Sequence, residues 1–196
     1  RNDLETMRRA VPLLRSDLAV TPSIPNIVEG NQCHTYGLSS WLPFQGSGCF
    51  FQNDAYSYRS VYLSAFCMDG AAKQTAYAEC KIVAPSMLYG DYYPLTPYSL
   101  TNTAWIAWQF DYPEKTNGVV QAFRRSSNPD PTLIVRLQGL DADRTYSVRD
   151  FDKGDLGQYY GGELMVAGLT LQLTQRGSAI IFYGSPTGVA VTATAD

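Results

Sequence analysis

The spacing of apolar residues changes character about halfway along the chain. Leu4, Met7 and Val11 share one face of a helix over 4–10, which Pro12 ends. Leu13-Leu14-Arg15-Ser16-Asp17 follows as a short strand closing on a carboxylate. Residues 19–32 carry two prolines, a glycine and two asparagines, the composition of a loop. The apolar run from His34 to Phe44 reads as a strand up to Pro43, and Gly46-Ser47-Gly48 as a turn. Asp54 to Arg59 suits a helical turn, Ser60 to Phe66 a third strand, and Lys73 to Leu88 a helix interrupted by Pro85. Alternating strands and helices over 1–90 predict a parallel α/β arrangement. Three strands cannot bury both faces of such a sheet, so this unit reads as incomplete.

From residue 91 the period shortens. Ala104–Phe110, Val119–Arg124, Thr132–Leu137, Thr145–Arg149, Leu169–Thr174 and Ser178–Tyr183 are short alternating runs. Turn-forming clusters such as Tyr112-Pro113, Gly139-Leu140-Asp141 and Lys153-Gly154-Asp155 separate them. The prediction for 91–184 is an antiparallel β-sandwich of about six strands with hairpin connections. Residues 185–196, rich in Thr, Ala and Val, read as a tail or linker.

Composition narrows the function classes. The chain of 196 residues is 45% apolar and 17% charged, with a net charge of −3. No apolar stretch is long enough for a membrane helix, and the only basic clusters are the pairs Arg8-Arg9 and Arg124-Arg125, so neither membrane nor nucleic acid is an expected partner. Fourteen tyrosines, three tryptophans and eight phenylalanines suit stacking on the C–H faces of sugars, and equally suit a tightly packed β protein. Cys33, Cys49, Cys67 and Cys80 contain no C-x-x-C, so zinc is not expected. Buried free thiols are expected instead, which leans toward a reducing, cytoplasmic setting. The chain opens on Arg1-Asn2-Asp3 without a Met or a signal-like segment, which reads as a sequence continued from upstream.

Among candidate reactive groups Asp17 comes first, because barrels of parallel strands place catalytic groups at strand C-termini. Position alone leaves a helix cap or a loop ion pair as the alternative. Asp3 suits a helix cap, while Asp69 and Asp91 carry no special signal. His34 is the only imidazole and lacks partners at metal-ligand spacing, so a structural histidine is the plainer reading. No G-x-S-x-G elbow accompanies it. Asp150, Asp152, Gly154 and Asp155 faintly suggest a calcium loop, but glycine occupies the twelfth position, where a bidentate Glu belongs; a hairpin turn fits better.

Several runs together carry a family resemblance: RNDLETMRRAVPLLRSD, HTYGLSSWLPFQGSG, YRSVYLSAF, YYPLTPYS, AWIAWQFD, LIVRLQGLDADRTYSVRD and GGELMVAGLTL. In this order they resemble the C-terminal portion of family 36 glycoside hydrolases, the α-galactosidases or melibiases, from Arg1 to about Tyr183. The resemblance implies the last part of a (β/α)8 barrel, about strands 6–8, in residues 1–90, followed by the family's β domain. It makes Arg1-Asn2-Asp3 the end of the turn after the fifth strand and Ser16-Asp17 the end of the sixth. His34–Trp41 would be the seventh strand and Tyr58–Phe66 the eighth.

By the same resemblance Asp17 is the general acid/base of a retaining hydrolase, and Trp41, Arg15 and His34 are candidate substrate contacts. The nucleophilic aspartate belongs to a fourth strand upstream of Arg1, so the chain by itself is expected to be inactive. The implied substrate is an oligosaccharide ending in an α-galactoside. No metal or organic cofactor is implied, and the β domain would brace the barrel or assist homo-oligomer formation. Two other readings stay open: a carbohydrate-binding or structural β module without activity, and a relative of different specificity, an α-N-acetylgalactosaminidase or a galactosyl transferase.

Overall fold

The computed structural model describes residues 13–15, 18–42 and 45–186. The expected 4–10 helix and the 187–196 part of the tail lie outside them, as do Asp3, Ser16 and Asp17. The chain divides into two compact units between Leu88 and Tyr89.

In the first unit, strands β1 (Leu13–Leu14), β2 (Gln45–Cys49) and β3 (Ala65–Met68) form a parallel sheet in sequential order. Helix α1 (Ile27–Leu38) lies in the first connection, α2 (Ala55–Arg59) in the second, and α3 (Lys73–Tyr89) follows β3. The alternation predicted for 1–90 is present, but two of its elements fall elsewhere. Residues 27–38 are helical where a loop and then a strand are predicted, and the strand is Gln45–Cys49, where a turn is predicted.

Each difference has its own cause. The buried face of α1 includes Asn31, Gln32 and Thr35 at helical spacing, so an apolar count misses the period. These polar groups are tolerated because they are bonded: Asn31 Nδ2 donates to the Leu18 and Ile27 carbonyls, both at 2.9 Å, and Gln32 Nε2 to Ser60 Oγ at 2.9 Å. In β2, glycine reflects close strand approach rather than a turn: a Cβ on Gly46 would lie 2.8 Å from that of Ala65. The third strand starts later than predicted, at Ala65, and α2 forms where the helical turn is expected. Asp54 caps α2, its side chain accepting from the Ser57 amide at 3.0 Å.

The α3 helix runs through Pro85, which removes one backbone donor from its interior. Burial of Ala76, Cys80, Val83 and Met87 offsets that cost. Arg59, 1% exposed, is matched by Glu79 of this helix, with Nη2 to Oε1 at 2.7 Å and Nε to Oε2 at 2.9 Å. Tyr62 Oη donates to the same carboxylate at 2.8 Å. A fork with both oxygens engaged is the geometry in which a buried guanidinium is tolerated. The four cysteines are free thiols. Burial pushes Cys49 and Cys80 up to about 12, whereas Cys67 is exposed, contrary to the expectation of burial.

The second unit is an antiparallel β-sandwich. Strands β4 (Asp91–Pro94), β5 (Trp105–Tyr112), β6 (Asn117–Arg124), β7 (Thr132–Val135), β8 (Thr145–Asp150), β9 (Gly154–Tyr160), β10 (Leu169–Gln172) and β11 (Gly177–Gly184) make two sheets. The larger has the order β4-β5-β6-β11-β8-β9, and the smaller pairs β10 with β7. All six predicted runs form strands; β4 and β9 are additional, and β4–β5, β5–β6 and β8–β9 are the antiparallel pairs of consecutive strands among the described residues. The proposed turn at Lys153-Gly154 is the β8–β9 hairpin, where Asp150 Oδ1 accepts from the Asp152 and Lys153 amides at 2.8 and 3.2 Å.

Between the sheets lies one core. Ala107, Val120, Ala122, Ile181 and Tyr183 of the larger sheet meet Val135, Leu169 and Leu171 of the smaller, with Leu164 of the short helix α4 (Gly161–Val166). Each fully buried valine, leucine or isoleucine here contributes roughly 1.5–3 kcal/mol. One polar cluster interrupts it: Tyr183 Oη donates to Asp111 Oδ1 at 2.6 Å and accepts from Gln109 Nε2 at 2.7 Å. Gln109 also joins the chain at Gln138, accepting from its amide and donating to its carbonyl, both at 2.8 Å.

Candidate functional site

A parallel sheet presents all its strand C-termini at one edge, and in open or closed α/β sheets that edge carries the chemistry. Here it comprises the ends of β1, β2 and β3 and the connections leaving them: Arg15 after β1, Phe50 to Asp54 after β2, and Asp69-Gly70 after β3. Asp17, the predicted acid/base, lies outside the described residues. The described chain on either side of it is tied down. The Arg15 amide donates to the Gly46 carbonyl at 3.1 Å, and Val20 pairs in parallel with Cys49 through bonds of 2.8 Å to Gly48 O and from Phe50 N.

The other three predicted residues sit in different places. Arg15 stands at the end of β1, but its guanidinium turns to α1. Nη1 donates to Thr35 Oγ1 at 2.7 Å and Nη2 to the Asn31 carbonyl and Oδ1 at 3.0 and 2.8 Å. Its Nε is buried without a partner, and burial pulls the group down to about 9, which leaves it cationic at neutral pH. No acidic side chain among the described residues pairs with it.

His34 lies within α1, not on a strand; its Nδ1 is buried without a hydrogen bond. Burial, and then the nearby Arg15 charge, lower its pKa and favour the neutral ring. Trp41 is 64% exposed in the connection from α1 to β2, so it lies beside the N-terminal end of β2 rather than its C-terminal end. The structure therefore does not gather Arg15, His34 and Trp41 around one point at the strand C-termini.

The C-terminal edge instead holds residues that carry no signal in the sequence pattern. Phe51 has φ 61°, in the left-handed region a phenylalanine rarely occupies, and its ring is 73% exposed. Its amide donates to Asp69 Oδ1 at 2.9 Å, so a carboxylate after β3 fixes the backbone after β2. Asn53 Oδ1 accepts from the Ala72 amide at 3.1 Å and ties the same two connections. Strain of this kind costs on the order of 1–3 kcal/mol and persists where surrounding contacts enforce it, commonly at binding sites. An exposed ring held in this way can stack on the C–H face of a sugar. The one hint in the sequence is the pair of consecutive aromatics, Phe50-Phe51, directly after a glycine-rich strand. Among the described residues no group of three or more His, Cys, Asp or Glu side chains could hold a metal ion.

In the second unit the two most specific sequence runs, GLDADRTYSV and GGELM, meet each other. The Gly161 amide donates to the Arg144 carbonyl at 2.8 Å and the Gly162 amide to that of Ala142 at 2.9 Å. Glu163 Oε2 accepts from the Tyr160 amide at 2.9 Å at the start of α4.

Residues 105–183 match the model described as the glycosyl hydrolase family 36 C-terminal domain. No protein of curated function matches the chain. Solved structures similar to it include the galactosidase domain of an α-galactosidase–sucrose kinase, at TM-score 0.64 and 19% identity over 80% of this chain and 24% of that one. The α-galactosidase AgaA of Geobacillus stearothermophilus in complex with raffinose is similar at TM-score 0.57 and 21% identity, over 72% of this chain and 22% of that one. An α-galactosidase of Lactobacillus brevis matches at TM-score 0.55 and 14% identity, over 79% and 23%. Likeness at these identities is likeness of fold, and this chain spans about a quarter of each of those chains or less.

Proposed function

Because residues 105–183 carry the family 36 C-terminal domain, we propose that this chain is the C-terminal portion of a retaining α-galactosidase, with Asp17 as its general acid/base. The observation that carries the reading is the sequential parallel order β1-β2-β3 with a helix in each connection, directly ahead of that domain. That order is compatible with the repeat of a (β/α)8 barrel. Asp17 comes three residues after Leu14 in the sequence, which supports a place at the end of such a strand, where barrels carry their chemistry. On this reading β1, β2 and β3 are strands 6 to 8, and β1 and β3 each have an outer edge unpaired among the described residues, available to the rest of a barrel.

Retaining hydrolysis uses two carboxyl groups about 5–5.5 Å apart. Asp17 protonates the departing glycosidic oxygen while a nucleophilic carboxylate attacks the anomeric carbon. It then takes a proton from the water that releases galactose. The nucleophile is assigned to the part of the enzyme this chain does not span. Oligosaccharides such as the raffinose bound to the Geobacillus enzyme are the proposed substrate class. Phe51 is the better placed stacking residue, and Arg15 ties the strand end to α1.

The test is Asp17→Ala in the full-length enzyme, assayed on p-nitrophenyl α-galactoside and on raffinose. Loss of general-acid catalysis should lower kcat on raffinose by about 10²–10⁴-fold. kcat/KM for the nitrophenyl substrate should fall less, because its leaving group needs less protonation in the first step, while the lost general base slows the second step for both substrates. Near wild-type turnover of raffinose would refute the assignment.

A further inference from the structure

The sandwich unit contains a cavity of about 200 Å³ that the reaction above does not use. Asp111 of β5, Thr116 after β5, and Gly139, Asp141, Arg144 and Tyr146 from the 139–146 segment line it. Asp111 is only 4% exposed. Its Oδ1 is taken by Tyr183, but no donor among the described residues bonds Oδ2, which belongs to the carboxylate lining the cavity. An acceptor oxygen on the lining carboxylate that no protein donor engages is open to a ligand hydroxyl.

The remaining lining is complementary in kind. Arg144 is half-exposed and held at the wall, with Nη1 donating to Thr116 Oγ1 at 2.7 Å and Nε 3.6 Å from Asp141 Oδ2. Tyr146 borders the cavity but is buried: its ring packs edge-on against Tyr183 and its hydroxyl accepts from the Asp141 amide at 3.1 Å. The charges select against ions of either sign: Asp111 and Asp141 oppose an anion, and Arg144 opposes a cation. A neutral molecule carrying several donors and acceptors suffers neither penalty. The volume is roughly that of six or seven liquid waters, the scale of one six-membered polyol ring.

We propose that this cavity binds a single neutral sugar ring, with Asp111 Oδ2 accepting from its hydroxyls and Arg144 donating to them. The site lies in the sandwich unit and does not depend on Asp17. With two or three hydrogen bonds, affinity near the millimolar range is expected, about −4 kcal/mol.

The experiment titrates the ¹⁵N-labelled 196-residue chain with D-galactose and follows amide shifts, with Asp111→Asn and Arg144→Ala alongside. Asp111→Asn keeps an acceptor for Tyr183 and replaces the free oxygen by an NH₂. Arg144→Ala is a surface change that guards against loss of fold in the first. Saturable shifts confined to the amides of residues 139–146 and their neighbours, weakened about tenfold or more by each variant, are the expected result. Absence of shifts, shifts located elsewhere, unchanged affinity in both variants, or tighter binding of methylguanidine than of galactose would each overturn the proposal.

Discussion

A guanidinium that gives both of its Nη groups to a neighbouring helix has little left for a ligand. Arg15 bonds Thr35 and Asn31 of α1, and Asn31 Oδ1 also accepts from Ser47 Oγ of β2 at 2.9 Å, so one side chain joins β1, α1 and β2. This argues for support of the strand end rather than direct sugar contact. Hydrogen bonds to charged groups contribute about 1.5–3 kcal/mol each, less the cost of burying the charge. Arg15→Met should therefore destabilise the first unit by about 2–3 kcal/mol, measured as a shift in urea midpoint. Arg15→Lys should fall between, because a point charge cannot reproduce the fork. In the full-length enzyme the Lys variant should lose kcat with KM nearly unchanged; a KM rise with normal stability would return Arg15 to substrate contact.

At the scale of elements, legibility in the sequence depended on the chemistry that betrays each one. Thr145–Asp150 and Leu169–Gln172 alternate buried and more exposed residues and so were readable from period. Trp105–Tyr112, Asn117–Arg124 and Gly177–Gly184 are buried at nearly every position and were readable as short runs rich in apolar residues between turns. Helix α1 was not, because its buried face is amide and hydroxyl. Strand β2 was hidden by the glycines that close packing against Ala65 demands. Phe51 and the Asp111 cavity could not be seen, since both depend on pairings between segments distant in sequence. The joint of GLDADR with GGELM makes a sharper prediction. A Cβ on Gly161 would run into the Asp141 carbonyl, whereas one on Gly162 would come no nearer than 3.3 Å to the Ala142 carbonyl. Backbone cannot swing aside as a side chain can, so Gly161→Ala should cost about 1–3 kcal/mol of sandwich stability. Gly162→Ala should cost clearly less. Equal thermal midpoints for the two variants would contradict the joint as described.

For the molecule as a whole, two proposed functions occupy separate units and can fail separately. Double displacement needs a second carboxylate beside Asp17, and on the family 36 reading that group lies in the length of the relatives that this chain does not cover. One carboxyl group can donate a proton but cannot form the glycosyl-enzyme intermediate. The isolated 196-residue chain should accordingly release p-nitrophenol from p-nitrophenyl α-galactoside no faster than a protein-free blank. The same preparation should still show galactose-dependent amide shifts at residues 139–146, because the sandwich has its own core between its two sheets. Hydrolysis by the isolated chain that disappears in Asp17→Ala would mean that it holds its own nucleophile, and would replace the fragment reading while leaving the cavity untouched. A silent cavity in a chain whose amide spectrum is well dispersed would remove the sugar site and leave the acid/base assignment standing.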